Sequence, residues 1–575
     1  MRATRFVTVA VLLTLAGCGG PAVAREQSTE EPGAGRPRVP LATSTPKASR
    51  DPKPASEPKQ RPNIVLVLMD DFSMDLLPTM RSAAAMQRAG ASYSHAFVAD
   101  SFCCPSRASL LTGQYPHQTG VLTNVPGQRS RPLGGFDAYA AFGNPERSFN
   151  VSLQAAGYTT GFFGKLLNHY EGGAAAPPVL PGWSEFEAMF GTAYDQWDYG
   201  TGRLGRDGQI HVAHHPAPPV GATPDEKDEA YAGVRIERSA LDFIRRHGDD
   251  DAPYFLQVAP YAPHSRVTLR GGHYPGDPLF PAMFRDRPSP EHPVGNCGRI
   301  SCRELDAQDL PGYVDAPVDY LPRTRDGRAV EAWHTGPRVG PRMATRLLRD
   351  RARMVQSIDR MVQRILAAVG DNTYVVLTSD NGFHLGQMGL AVGKGTPFDT
   401  DVRVPLLVVG PGVEPGVRDA MTSNIDLAST FEELAGARSP AYRSGRSLVE
   451  TFADPQAQVH DVVFFEHTAY VAARLDPDAA LLDGTEYHRI PSYVAVRSRT
   501  GLLVRFDLDP TLTGVDHAWG FYDYTRTGWE QANEYDKPVH SRRIALLARK
   551  LRQFDQCSAF VRDAVVPARC RNLTQ

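Results

Sequence analysis

Lysine is nearly missing from this chain, with eight residues in 575 against 54 arginines. Where arginine is the default cation, a retained lysine points to a need for a compact point charge. Between residues 61 and 445 there are three: Lys165 in "GFFGKLLNHY", Lys227 in "PDEKDEA" and Lys394 in "GLAVGKGTPFD". The acidic surroundings of Lys227 mark it as a solvated surface charge, which leaves Lys165 and Lys394 as site candidates. An excess of one charge sign is also lacking. A formal net charge of −2 with 22% charged residues supplies no basic field for nucleic acid and no acidic tail for cations. No nucleic-acid partner is expected, and a small-molecule or oligomeric substrate is the default. After the first twenty residues no apolar run is long enough to span a bilayer, and no internal repeat is visible.

What is present begins with "MRATRFVTVAVLLTLAGCGG". Arg2 and Arg5 form a positive start, Phe6 to Leu15 an apolar stretch too short to cross a membrane, and Leu15-Ala16-Gly17 precede Cys18. This reads as an export signal. The small residues before the cysteine resemble a bacterial lipobox, which implies a lipoprotein signal peptide over 1–18, cleaved before Cys18, and membrane attachment by lipidated Cys18. The expected location is the outer face of the bacterial cell membrane, or secretion if the signal is an ordinary one. Residues 19–60 are rich in Pro, Ala, Ser, Glu and Gly with hardly a large apolar side chain. Such a segment buries too little surface to offset ordering entropy, so it reads as a disordered tether.

From Arg61 the texture changes. "NIVLVLMDD" (63–71) and "TYVVLTSDN" (373–381) are continuous apolar runs ending in polar pairs, as suits strands of a parallel sheet buried on both faces. Further strands are expected at Tyr158 to Phe163, Tyr254 to Ala259 and Leu406 to Val409, with helices near Leu76 to Ala89, Arg107 to Thr112, Val151 to Ala156 and Arg346 to Ala368. Strands alternating with helices predict an α/β fold over 61–450 with a mostly parallel sheet. Residues 451–575 read as a smaller C-terminal domain of antiparallel sheet and helix. "SYVAVRSRTGLLVRFDL" (492–508) predicts a hairpin, and Ile544, Leu547, Leu551 and Phe554 fall on one helical face. The Pro-, Gly- and Arg-rich stretch 266–340 is too long for an ordinary connection and is expected to form a rim or lid of a site.

Seven cysteines divide unevenly. With Cys18 allotted to lipid, Cys297 with Cys302 and Cys557 with Cys570 are neighbours that suit local disulfides in an oxidising compartment. Cys103 and Cys104 in "SFCCPSRASLLTG" remain without obvious partners. A strained vicinal disulfide, half of a metal site, buried filler and a nucleophile are all open for them at this level.

Asp70-Asp71 and Asp380-Asn381 follow two buried runs, where parallel-sheet folds place their ligands. Singly each pair reads equally as a solvated turn or cap, but together their four hard oxygen donors favour Ca²⁺ or Mg²⁺ over zinc. Arg107 opens an apparent helix, so Cys103 stands near a helix N-terminus, where free N–H groups favour negative charge. A divalent cation with Arg107, Lys165 and Lys394 outweighs Asp70, Asp71 and Asp380 by two charges. That balance suits an anionic ester without distinguishing sulfate from phosphate.

Cys103-Cys104-Pro105-Ser106-Arg107, continuing as "ASLLTGQYPHQTGV", resembles the signature of type I sulfatases of the alkaline phosphatase superfamily. Through "CCPSRASLLTG", "GKLLN" and "PGW" (181–183) the chain looks closest to the N-acetylglucosamine-6-sulfatase-like branch. The resemblance covers about 61–570 and implies an alkaline phosphatase-like sandwich hydrolysing sulfate esters, on sulfated sugars or related esters. It implies that Cys103 is converted to Cα-formylglycine by a formylglycine-generating enzyme. Asp70, Asp71, Asp380, Asn381 and position 103 would hold Ca²⁺ or Mg²⁺. Arg107 would hold the formylglycine hydrate, and Lys165, His264 in "YAPHSR" and Lys394 would contact the sulfate and its leaving oxygen.

The chain also departs from the family's pattern. Many members carry Gly-Lys-x-His at the first lysine, where this chain has Lys165-Leu166-Leu167-Asn168-His169, so Asn168 is a candidate for part of that role. Arg266 stands where proline is usual and is a candidate for recognising an acidic neighbour on the substrate. Two rival readings are a phosphate or phosphonate ester hydrolase of the same superfamily and an inactive surface lipoprotein that binds glycans.

Overall fold

The computed structural model describes residues 61–575 apart from 127–132, 172–176, 269–271, 314–318, 325, 329, 331–338, 470–489, 509–515 and 558–564. The signal expected over 1–18, with Cys18, and the tether over 19–60 lie outside the described residues. Gln60–Gln575 forms one compact unit.

Its centre is a ten-stranded sheet. In spatial order the strands are Gly416–Ser423, Ala91–Phe97, Leu406–Val409, Thr373–Ser379, Asn63–Met69, Tyr254–Ala259, Thr159–Gly164, Glu185–Gly191, Tyr199–Leu204 and Ile210–His215. The five from Thr373–Ser379 to Glu185–Gly191 pair in parallel. Leu406–Val409 runs against both of its neighbours, so the sheet is mixed but mostly parallel. Both faces are covered, which is why the central strand is apolar throughout. Val65, Val67 and Met69 enter one core with the helices Arg81–Ala89, Ala232–His247 and Pro341–Ala368, while Ile64, Leu66 and Leu68 enter the other with Cys103–Thr112, Phe149–Ala155 and Asp426–Leu434.

A second, antiparallel sheet orders Val462–His467, Ser492–Ser498, Gly501–Asp507 and His517–Asp523, and takes its outer strand, Arg323–Thr324, from the long insert. Helix Ser541–Cys557 covers one face through Leu547, Leu551 and Phe554 against Phe464, Val496, Leu503 and Phe521. The other face packs Phe465, Ala495, Val504 and Phe506 against Phe97, Val98, Phe398 and Met421 of the larger layer. The disulfides Cys297–Cys302 and Cys557–Cys570 form as expected, and Cys103 and Cys104 are free and buried.

Three local expectations shift. The helix expected over 76–89 is broken: Met74–Thr79 is a 3₁₀ turn containing Pro78, Met80 is extended, and the α-helix begins at Arg81. Proline cannot donate to the preceding turn, so the helix restarts beyond it. The helix expected from Arg107 begins at Cys103 instead, because Pro105 falls in the first turn, where no N–H donor is needed. The described part of the insert is a packed cover, with Phe280, Ala282, Cys297, Cys302 and Leu305 in the core beside helix Pro341–Ala368.

Candidate active site

Parallel register sets Met69 beside Ser379, so the two chains leave the sheet together and Asp70 and Asp380 emerge as neighbours. Asp380 N–H donates to Met69 O at 3.1 Å and Asp71 N–H donates to Asp380 Oδ1 at 3.1 Å. Asp71 holds a left-handed backbone, φ 58°, a conformation that a non-glycine residue keeps only where its surroundings over-determine it. Phe72 N–H donating to Ser379 Oγ at 3.0 Å and Arg351 Nη2 donating to Asp71 O supply that constraint.

Helix Cys103–Thr112 points its N-terminus at these strand ends. Ser106 Oγ donates to Asp380 O, and Arg107 Nε donates to Asp380 Oδ2 at 2.7 Å while its Nη1 donates to Lys165 O at 2.7 Å. Cys103 Sγ then lies 3.6 Å from Asp70 Oδ1 and 2.9 Å from Lys394 Nζ. Lys165 Nζ bonds both oxygens of Asp70, at 2.8 and 2.7 Å, and Lys394 Nζ pairs with Asp71 Oδ1. His264 Nε2 stands 3.6 Å from Asp71 Oδ2. Its Nδ1–H donates to Ser265 O at 2.7 Å, which turns Nε2 toward the Asp71 carboxylate.

All of these side chains are buried, and burial sets their acidity. It pushes Asp70 up to about 6 against the pull of Lys165, and it pushes the Cys103 thiol well above its ordinary value. For Asp380 burial acts upward too, but Arg107 and Lys165 prevail and hold the carboxyl below the usual range. Lys165 is held up by Asp70 despite the opposing effect of burial.

The donor set fits a hard divalent cation. Asp70 and Asp71 bring carboxylate oxygens within 4.8 Å of one another, beside Cys103 and His264, and Asp380, whose Oδ1 accepts from Asp71 N–H, adds a third carboxylate. Asn381 Nδ2 donates to Asp71 Oδ1 at 2.7 Å, while its buried Oδ1 has no hydrogen-bond partner among the described residues. A buried amide oxygen left without a partner, on a side chain bonded to Asp71, is what an oxygen-liganded Ca²⁺ or Mg²⁺ satisfies.

The structure thus brings together Asp70, Asp71, Cys103, Arg107, Lys165, His264, Asp380, Asn381 and Lys394. Asn168 stands one layer behind: its Oδ1 accepts from Tyr194 Oη at 2.7 Å, and the Tyr194 ring lies 4.9 Å from Lys165 Nζ and 4.6 Å from the His264 ring. Arg266 is engaged within the insert, donating to Pro278 O at 3.1 Å and to Thr268 O. Cys104 is packed filler whose Sγ accepts from Asn168 N–H at 3.2 Å. Lys227 is not the solvated charge its acidic neighbours suggested. It is 8% exposed, donates to Val220 O at 2.7 Å, and lies over the Tyr274 and Phe284 rings, because its apolar stem and cationic head both find partners there.

Two parts of the site escaped sequence reasoning. Arg351, in the middle of helix Pro341–Ala368 and fully buried, holds the Asp71 carbonyl. His384 Nδ1 bonds Asp401 Oδ1 at 2.8 Å, and Asp401 Oδ2 accepts from Thr396 N–H at 2.9 Å, a brace for the loop carrying Lys394. Neither carries a spacing signal, since each partner lies far away in sequence or across an irregular turn.

Comparison with known proteins gives a family. Residues 62–437 match the sulfatase family model, and residues 392–556 match the model of the N-sulphoglucosamine sulphohydrolase C-terminal region. The chain is 30% identical over 426 residues to the extracellular sulfatase SULF-1 homolog of Drosophila melanogaster, covering 72% of this chain and 33% of that protein. It is 28% identical over 398 residues to the N-acetylglucosamine-6-sulfatase of Capra hircus, covering 66% and 62%. The chain therefore spans less than two thirds of the length of either relative. In fold it resembles BT4656, solved in complex with its substrate D-glucosamine-2-N,6-O-disulfate (TM-score 0.58, 19% identity, 86% and 98% of the two chains). It also resembles the phosphonate monoester hydrolase SpPMH from Silicibacter pomeroyi (TM-score 0.58, 19% identity, 88% and 96%).

Proposed function

This chain belongs to the sulfatase family, and from that membership we propose that it is a sulfuric ester hydrolase acting on sulfated sugars, with Cys103 as the precursor of a formylglycine nucleophile. The observation that carries the reading is the meeting, at two strand ends and one helix N-terminus, of Cys103 with Asp70, Asp71, Asp380, Asn381 and three buried cations.

Asp70, Asp71, Asp380 and Asn381, with position 103, would hold Ca²⁺ or Mg²⁺, and the bound cation supplies positive charge that polarises the sulfate and the nucleophilic oxygen. A formylglycine hydrate supplies two geminal hydroxyls, one to displace the alcohol and one to expel sulfate, where a serine has only one. Arg107 orients position 103 through its bonds to Asp380 and to Lys165 O. Lys165 and Lys394 offer fixed donors to the sulfate oxygens in a site closed to water, where such charges act at low dielectric. Lys394, 2.9 Å from Cys103 Sγ, and His264, whose Nε2 faces the cluster, are the groups that move a proton to and from the leaving oxygen. Export through the 1–18 signal, anchoring at Cys18 and maturation by a formylglycine-generating enzyme complete the proposal.

Mass spectrometry of the peptide spanning residues 98–128 from the native host is expected to show loss of the thiol and gain of an aldehyde at 103. Cys103→Ala is expected to abolish sulfate release, and full retained hydrolysis would refute the mechanism. The SpPMH likeness in fold keeps a phosphonate or phosphate ester hydrolase as the second reading. Higher kcat/KM on an aryl phosphate or phosphonate than on the matching aryl sulfate would decide for it.

A further inference from the structure

The turn joining the antiparallel strands Glu185–Gly191 and Tyr199–Leu204 is more tightly determined than a plain connection needs to be. Gln196 and Asp198, neither a glycine, hold left-handed backbones, φ 72° and 59°. Such conformations persist only where their surroundings over-determine them, and they gather where geometry serves function. Thr192 Oγ1 donates to Asp198 O across the turn, Gln196 O accepts from Ala232 N–H at 2.9 Å, and Trp197, fully buried, donates from Nε1 to Lys227 O at 2.8 Å. The Trp197 ring meets Tyr231 and Tyr274 edge-on, each at 5.2 Å. The turn is thus anchored on an aromatic cluster separate from the main cores, and buried Lys227 belongs to that anchor.

The 3₁₀ residues of the same turn, Thr192–Asp195, grip the His264 segment at two points. Asp195, 2% exposed, accepts through Oδ1 from Val267 N–H at 2.7 Å and Thr268 N–H at 3.2 Å. Tyr194 packs its ring 4.6 Å from the His264 imidazole and 4.7 Å from the ring of Tyr261, whose carbonyl accepts from His264 N–H at 2.9 Å. The Tyr194 ring is itself fixed: its Oη donates to Asn168 Oδ1 at 2.7 Å, and Lys165 Nζ stands over its face at 4.9 Å. An apolar side chain would fill the same volume. A tyrosine adds a rigid ring, tethered at its far end, whose negative face suits the ammonium.

Resting on the sulfate-ester reading above, we propose that Tyr194 is a positioning residue that acts through His264, holding the imidazole where it delivers a proton to the leaving oxygen. As the oxygen at position 103 bonds to sulfur, the ester S–O bond breaks, its electron pair stays on the leaving oxygen, and His264 supplies the proton that neutralises it. A proton helps a basic leaving group and is nearly idle for an acidic one, which departs as a stable anion. Loss of the ring therefore discriminates between esters by their leaving group, a signature that a purely structural tyrosine does not have.

The test uses the full, matured chain with 4-nitrophenyl sulfate and 4-methoxyphenyl sulfate, which are close in shape and differ in the basicity of the phenol released. Tyr194→Leu, which removes the ring, is expected to lower kcat/KM on the methoxy ester by at least ~10-fold more than on the nitro ester. Tyr194→Phe, which keeps the ring, is expected to hold the ratio of the two kcat/KM values within ~3-fold of the wild type. An unfolded fraction lowers both rates alike and cancels in the ratio. Where Tyr194→Leu gives no folded protein, Tyr194→Met removes the ring with less loss of length, and the same outcomes apply. Equal losses on the two esters, or a ratio that falls as far in Tyr194→Phe as in the ring-less variant, would overturn the inference while leaving the sulfate-ester reading in place. A wild type inactive on both esters would overturn that reading and the inference with it.

Discussion

Asp71 is held in the left-handed backbone region, φ 58°, which is uncommon outside glycine, and the residue that holds it comes from another layer of the molecule. Arg351 donates to the Asp71 carbonyl while its guanidinium lies 4.3 Å from the Phe383 ring centroid. Replacing it with methionine keeps the apolar stem and removes the donor. Arg351→Met is therefore expected to lower Ca²⁺ affinity by about 10–100-fold, the usual effect of losing a group that orients a metal ligand. Titration calorimetry on the full protein checks this, and unchanged affinity would remove Arg351 from the site. At this scale the ligand candidates Asp70, Asp71, Asp380 and Asn381 were legible because each pair closes a buried apolar run. Arg351 was not, since an arginine inside an amphipathic helix usually faces solvent.

The helix Cys103–Thr112 connects the nucleophile position to the core. Its body is buried on all sides, and it ends at Gly113, φ +62°, where a Cβ would meet Arg443 Cδ at 2.9 Å, so the left-handed stop demands glycine. Its start was hidden by Pro105, which reads as a breaker until its place in the first turn is known. The helix Ser541–Cys557 shows the opposite case: its 3.6-residue apolar period names the buried face without help. Leu551, 1% exposed between the helix and the antiparallel sheet, is expected on truncation to alanine to cost about 2–5 kcal/mol of stability. Urea unfolding checks the figure, and a loss below about 1 kcal/mol would mean that this face collapses around the gap.

Across the whole molecule the three site carboxylates Asp70, Asp71 and Asp380 face the three cations Lys165, Lys394 and Arg107. A closely balanced cluster does not need a metal to remain folded, and binding adds stability only by mass action, about 4 kcal/mol at a thousandfold excess over Kd. Chelation is thus expected to lower the melting temperature by a few degrees while leaving a cooperative transition in calorimetry. Loss of that transition would show that the ion is structural. The sequence by itself determined the layered α/β class, the buried parallel strands, the two disulfide pairs and the metal and nucleophile candidates. These follow from periodicity, local spacing and residue chemistry, all of which act over short stretches of chain. Only the tertiary structure decided that Lys227 is buried, that Arg351 and the His384–Asp401 pair brace the site, and that Tyr194 packs against both Lys165 and His264. Those are meetings between residues from 17 to 280 positions apart, and no local pattern encodes them because packing alone brings their side chains together.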